Sequence, residues 1–197
     1  MSTLCELPIF ALDTVLFPRG LLPLRVFEQR YLDMTKTCIR DNAPFGVCLI
    51  RAGAEVGAPA VTHPVGCTAS ILRWDMPHLG LFHLVAEGGR VFRILEQWHT
   101  RNGLLCAQVE MVAPAPQIPL PERFAPLAQL LTTAIDKLGA ERFPAPIRLD
   151  DAAWVAYRLS ETLPFDADVR QLLLETSDPL AALERLRALL QAKALTL

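Results

Sequence analysis

The stretch that decides the fold is Phe17-Pro18-Arg19-Gly20-Leu21-Leu22-Pro23-Leu24-Arg25-Val26-Phe27-Glu28-Gln29-Arg30-Tyr31-Leu32-Asp33-Met34. Pro18 and Gly20 mark a turn, because proline presets φ and glycine takes a positive φ without steric cost. Leu21 to Val26 then reads as a strand. Pro23 donates no ladder hydrogen bond, so this strand belongs at a sheet edge or carries a bulge. From Phe27 the apolar period lengthens. Phe27, Tyr31, Met34 and Cys38 fall four, three and four residues apart, the spacing of one helical face. A helix is expected over residues 28–41, with Glu28 early and Arg40 late, where their charges suit the macrodipole. Asn42 and Pro44 end it.

Working outward, Phe45 to Ile50 is a short apolar run that reads as a buried strand, and residues 51–65, with Gly53, Gly57, Pro59 and Pro64, read as a loop. Four strands are expected next: Gly66 to Trp74, Leu79 to Ala86, Arg90 to Trp98 and Leu104 to Val112, with turns at 75–78, 87–89 and 99–103. Their spacing argues an antiparallel meander that curls toward a barrel. Residues 113–121, A-P-A-P-Q-I-P-L-P, are proline-rich and stiff. They divide a β-rich part, 1–114, from a helical part, 122–197, through a connector at 115–121. Beyond it Leu127, Leu130, Leu131, Ala134, Ile135 and Leu138 keep helical period up to Gly139. Asp150 or Asp151 is placed to cap a second helix, through Trp154, Val155, Leu159 and Leu163. Asp166 is placed to cap a third with Val169, Leu172 and Leu173 inward, and Asp178-Pro179 opens a fourth lined by Leu183, Leu186, Leu189 and Leu190. The fold class is α+β, with a four-helix bundle at the C-terminal end.

Composition excludes several functions. The chain has 197 residues, 52% hydrophobic and 20% charged, with a formal net charge of −2. That is an ordinary folded profile, and neither the β-rich nor the helical part carries the basic stripe that a duplex-binding surface needs. Five scattered cysteines, Cys5, Cys38, Cys48, Cys67 and Cys106, form no C-x-x-C and suggest reduced, buried thiols in a cytoplasmic protein. No basic-then-apolar leader opens the chain, and no apolar run reaches the length of a membrane span.

The chain resembles the N-terminal substrate-binding domain of Lon proteases. Leu7, Pro8, Phe10 and Leu12 carry the likeness, with Phe17, Pro18, Leu22, Pro23, Leu24, Phe27, Glu28, Arg30, Tyr31 and Met34. Gly66-Cys67-Thr68-Ala69-Ser70-Ile71 and Gly88-Gly89-Arg90-Val91-Phe92 are similar to two further family elements, although Thr68 stands one place late and Val91 separates Arg90 from Phe92. Residues 172–190 look like the family's helical pattern. The resemblance implies a PUA-like β-barrel followed by the bundle. It implies noncatalytic recognition of partly unfolded or apolar polypeptide, with an adaptor to a separate protease or chaperone as one form of that role.

No sequence motif points to catalysis, and no enzyme activity is expected. There is no G-x-x-x-x-G-K-[ST] loop for phosphates. None of Ser2, Ser70, Ser160 and Ser177 sits in a G-x-S-x-G elbow, and His63, His78, His83 and His99 lack ligand spacing. No metal or cofactor is expected. Candidate polypeptide-binding residues are Leu21, Leu22, Glu28, Arg30, Tyr31, Trp74 and Met76. Two readings stay open for each. Glu28 caps backbone amides, Arg30 pairs with a loop and Tyr31 packs its ring, or the three touch a ligand. Trp74 and Met76, beside a turn expected at 74–78, offer adaptable apolar surface or pack inside the barrel. Leu21 and Leu22 extend that surface or sit in the core. An RNA or nucleotide ligand, common for PUA-like barrels, is the alternative, and a small-molecule-binding protein or enzyme without a motif the third.

Overall fold

In the computed structural model, which describes residues 4–57 and 60–194, the deciding stretch forms a turn, an edge strand and a helix. The readings that touched Ser2 and Pro59 lie outside the described residues. The turn closes where Gly20 N–H donates to the Phe17 carbonyl at 2.9 Å. Its left-handed residue is Arg19, with φ of 64°, and not Gly20. Arg19 is tied down by its N–H to the Gly88 carbonyl, 2.7 Å, and by an ion pair to Glu87 at 3.1 Å. Strand β2, Leu21–Val26, follows, and helix α1 covers Gln29–Asp41. The helix stops at Asn42, whose φ of 48° is left-handed and whose N–H returns to the Cys38 carbonyl, a cap suited to asparagine. Tyr31, Met34 and Cys38 are buried together, but Phe27 is 55% exposed. It precedes the first helical turn, so the helical period does not govern its direction.

The chain divides into two compact units, Met1–Ala113 and Pro114–Leu197. In the first, β1 is Leu4–Leu12, β3 Phe45–Ala52, β4 Val61–Thr62, β5 Val65–His78, β6 Leu81–His99 and β7 Leu105–Met111. Hydrogen-bonded neighbours run β1-β7-β6-β5-β3-β4, and β3 also pairs with β1 in parallel, from Ile9 with Gly46 to Leu12 with Leu49. The path of pairings therefore returns to its start. Among the described strands β2 pairs with β6 alone, Leu21 opposite Glu87 through Val26 opposite Phe82, so Pro23 does stand in an edge strand. Val61 and Thr62 form a short strand within the stretch expected to be loop.

Two expected turns are absent. Residues 87–89 lie inside the unbroken β6, and 75–78 lie inside β5, with the reversal at Leu79-Gly80 where Gly80 has φ of 84°. Gly88-Gly89 therefore marks close approach instead of reversal. A Cβ at Gly88 would stand 2.0 Å from the Phe17 carbonyl oxygen, and one at Gly89 would stand 2.5 Å from Thr68 Oγ1. The glycine pair lets the turn before β2 and the neighbouring β5 press onto the middle of one long strand.

Strand periodicity explains why β1 and β3 are apolar on both faces. Leu7 and Ile9 join Cys48, Phe92, Leu105, Ala107 and Val109 in one buried cluster. Phe10 and Leu12 point the other way, into a second cluster with Val26, Tyr31, Met34, Phe45, Val47, Phe82 and Leu84. The second cluster packs the helix against the sheet. In β6 the alternation runs with Phe92 inward and Arg93 outward.

In the second unit the described helices are α2, Ala125–Leu138, α3, Ala152–Thr162, α4, Ala167–Leu174, and α5, Pro179–Ala194. Asp151, not Asp150, caps α3: its Oδ1 accepts the Trp154 N–H at 2.9 Å. Gly139, with φ of 92°, ends α2. Asp178 accepts the Leu180 N–H at 3.0 Å. Asp166 holds the N-cap position of α4 without a side-chain cap bond. Helix α3 touches α2, α4 and α5, with Val155 and Leu159 fully buried. Leu172, expected inward, is 49% exposed, and Gln171 is buried in its place. One residue of phase is 100° of helix, and α4 is only eight residues long, so the period there is poorly fixed by sequence. Leu138 is likewise exposed, at the last residue of α2. Together these elements make an α+β protein.

Candidate functional site

The first unit carries a groove of about 350 Å³. Its floor is Phe10 and Tyr31, whose rings stack at 4.0 Å and 23°. One wall is β2 from Leu22 to Val26, continuing into Phe27 and Glu28 where α1 begins. The other wall is Leu12 and Thr14 at the end of β1, with Glu55 and Val56 from the loop after β3. Phe27 and Val56 are exposed, and Leu22 and Leu24 are half-buried. The wall is thus apolar surface still open to solvent, which is what a ligand would remove from water.

The two carboxylates at the mouth are already engaged, and Arg25 is the third charged lining residue. Glu28 pairs with Arg30 at 3.1 Å, and Glu55 Oε1 accepts the Asp13 N–H at 2.6 Å, fixing the loop to the end of β1. Arg30 is buried behind the floor, with its guanidinium 4.7 Å over the Tyr31 ring and Nη1 3.5 Å from the Gly103 carbonyl. Burial pushes the Tyr31 hydroxyl above its ordinary pKa, while Arg30 and a hydrogen bond with the Ala11 main chain act in the opposite direction. At neutral pH the floor is therefore an uncharged phenol.

Of the seven residues proposed from sequence, the groove brings together Leu22, Glu28 and Tyr31. Leu21, at the start of β2, is not among the lining residues. Arg30 supports the floor from behind and does pair with a loop, as one of its two readings held. Glu28 makes no amide cap, since α1 has no side-chain cap bond at its N-terminus; its carboxylate goes to Arg30. Trp74 and Met76 lie on β5 away from the groove, 50% and 42% exposed, with Trp74 edge-on to Phe82 at 5.7 Å. They sit within the strand and not at a turn. Leu24, Val26 and Phe27 were not singled out, although Leu24 and Val26 share Leu22's period. Glu55 and Val56 had no sequence signal, because a loop's approach to a distant strand is not written in either.

Four of the five thiols are held protonated by their surroundings. Burial pushes Cys48 up to about 12 and Cys38 up to about 11, with Asp41 adding to the second. Cys5 and Cys106 are raised as well, chiefly by burial. None of these four is poised as a thiolate nucleophile. Among the described residues no His, Cys, Asp and Glu are grouped to hold a metal ion, and no helix is long and apolar enough to cross a membrane.

Comparison with known proteins agrees with this architecture. The family model for the ATP-dependent protease La (LON) substrate-binding domain matches residues 6–192. The chain is 33% identical over 92 residues to the Lon protease of Anaeromyxobacter dehalogenans (strain 2CP-C) and to Lon protease 2 of Myxococcus xanthus. Each match covers 46% of this chain and 11% of the relative, so the chain matches about a tenth of the length of those proteases. The crystal structure of a Lon N-terminal domain protein from Xanthomonas campestris is 35% identical, with a TM-score of 0.78, and the likeness covers 93% of this chain and 98% of that one. The N-terminal domain of Mycobacterium avium complex Lon protease, at 20% identity and a TM-score of 0.62 over 92% of this chain and 96% of that one, shares the fold. The model match spans nearly every residue of both units: the chain belongs to the Lon substrate-binding domain family.

Proposed function

We propose that the chain is a noncatalytic recognition module that binds partly unfolded or apolar polypeptide segments in the β2–α1 groove. The observation that carries this reading is the open apolar wall of Leu22, Leu24, Phe27 and Val56 above the stacked Phe10–Tyr31 floor. At about 350 Å³ the groove lies near the lower end of the range for ligand pockets, about 300–1,000 Å³. It has room for a few apolar side chains and none for a folded surface. The scaffold in this reading is a PUA-like barrel, with β1 pairing both β7 and β3, followed by a four-helix bundle. The free cysteines favour a reducing, cytoplasmic setting. The same reading takes in an adaptor role, in which the bound segment passes to a separate protease or chaperone.

Glu28 and Glu55 are occupied by Arg30 and by the Asp13 amide, which leaves Arg25 as the one further charge on the lining; affinity then comes mainly from apolar burial and is largely salt-tolerant. Fluorescence anisotropy against a reduced, permanently unfolded model protein and its folded form, at low and moderate salt, checks this. Binding to the unfolded form alone, changing less than about twofold with salt, is the expected result. A steep fall with salt would instead place the affinity in charge contacts, and equal binding to the folded form would remove the basis for unfolded-segment recognition.

A further inference from the structure

We infer that Pro23 confines the groove to side-chain recognition, by denying its ligand main-chain pairing along β2; this rests on the polypeptide reading of the groove. The sheet register carries the inference. Gly88 N–H donates to the Gly20 carbonyl at 2.8 Å just before the first register pair, Leu21 with Glu87, while Arg19 N–H donates to the Gly88 carbonyl, so Gly20 opposite Gly88 marks a hydrogen-bonding position of the ladder. Pair type alternates along an antiparallel ladder. Leu22 with Ala86, Leu24 with Leu84 and Val26 with Phe82 are therefore bonded pairs, and their main-chain groups are spent on β6. The groups of Leu21, Pro23 and Arg25 point to the other side of β2, where no described strand pairs. Residues of both parities, Pro23 and Arg25 as well as Leu22, Leu24 and Val26, line the groove. The groove thus runs along the open edge of the strand.

An open edge beside an apolar groove is the usual place for an extended peptide to add as a further strand. Here the central donor is missing. Proline has no N–H, and its Cδ occupies the position the hydrogen would take. The donors that remain, on Leu21 and Arg25, are four residues apart, about 13 Å along the strand, with a ring between them. An incoming strand would leave one of its own carbonyls facing that ring. On the β6 side nothing is lost, because Pro23 opposite Val85 is a non-bonded pair. The proline therefore blunts the outer edge at no cost to the fold, and leaves Leu22, Leu24 and Phe27 to hold a ligand by its side chains. Recognition of this kind is indifferent to strand register and direction.

The test uses an extended, fluorescein-labelled Gly/Ser peptide with a central Phe-Leu pair, and a series in which single amides are replaced by esters, removing one donor while keeping every side chain. For the wild-type chain each ester is expected to change affinity by less than about twofold, where loss of a paired amide would cost about threefold or more. In Pro23→Val, which restores the edge donor, tighter binding together with ester sensitivity is expected. A wild-type loss of threefold or more at alternate ester positions would overturn the inference while leaving the groove reading intact. Absence of binding to the parent peptide, and to its Leu-Leu counterpart, would overturn both. If Pro23→Val does not fold, the ester series on the wild-type chain decides the matter by itself.

Discussion

Tyr31→Ala is expected to lower the stability of the protein by about 3–5 kcal/mol, read by urea denaturation, in line with truncation of a buried aromatic side chain. Three losses add up at this one position. The ring is buried, at 5% exposure, and stacks on Phe10 at 4.0 Å. Its hydroxyl holds a hydrogen bond with the Ala11 main chain. Arg30, packed over the other face of the ring and itself buried, is left beside a cavity with less of the apolar and π contact that stabilises it there. Because the ring is almost wholly buried beneath the groove, binding is expected to fall only in step with unfolding. A Tyr31→Ala protein that melts normally and has lost binding would show that the tyrosine is a contact residue and not a structural one.

Trp154→Ala is expected to cost about as much, about 3–5 kcal/mol, and to leave polypeptide binding unchanged at temperatures where the protein stays folded. Trp154 is buried in the first turn of α3, the helix that touches the other three of its unit. Its N–H is the donor that Asp151 caps, and that bond survives the substitution since it belongs to the main chain. The loss is therefore one of packing of the buried indole. Calorimetry reads the stability change, and a peptide titration at low temperature separates it from function. A change below about 1 kcal/mol would mean that α3 does not organise the helical unit.

How much of this was legible in the sequence depends on the range of the cause. The β2–α1 stretch was legible because its signals are local: Pro23 forbids a central strand, the period shifts after Val26, and Asn42 stops the helix. Asp151, Gly139 and Asp178 are local signals of the same kind. The strands β5 and β6 were misjudged because Gly88-Gly89 has two meanings, reversal and close approach, and only the position of Phe17 and Thr68 in space selects between them. The return of β3 to β1 in parallel has no local signature, since apolar runs such as Phe45 to Ile50 show burial on both faces without naming their neighbours. The groove follows the same rule. Leu22, Glu28 and Tyr31 lie in the motif, where local signals single them out, and they line the groove. Val56 and Glu55 reach the groove through a contact of Glu55 with Asp13, 42 residues away in sequence, and could be found only in three dimensions. Trp74 and Met76 drew notice by residue type, yet type says nothing of which end of the sheet they occupy.

The most direct test of groove recognition is Phe27→Asp. Phe27 is 55% exposed, precedes α1 and lines the groove, so the substitution leaves the core untouched and stability is expected to stay within about 0.5 kcal/mol. Titration of the reduced, unfolded model protein should then show affinity lower by about tenfold or more, the equivalent of losing burial of one aromatic side chain, about 1.5–3 kcal/mol. A Phe27→Asp protein that is fully folded and binds unfolded polypeptide as tightly as the wild type would place the recognition surface elsewhere, with the exposed Trp74 and Met76 of β5 the next residues to change.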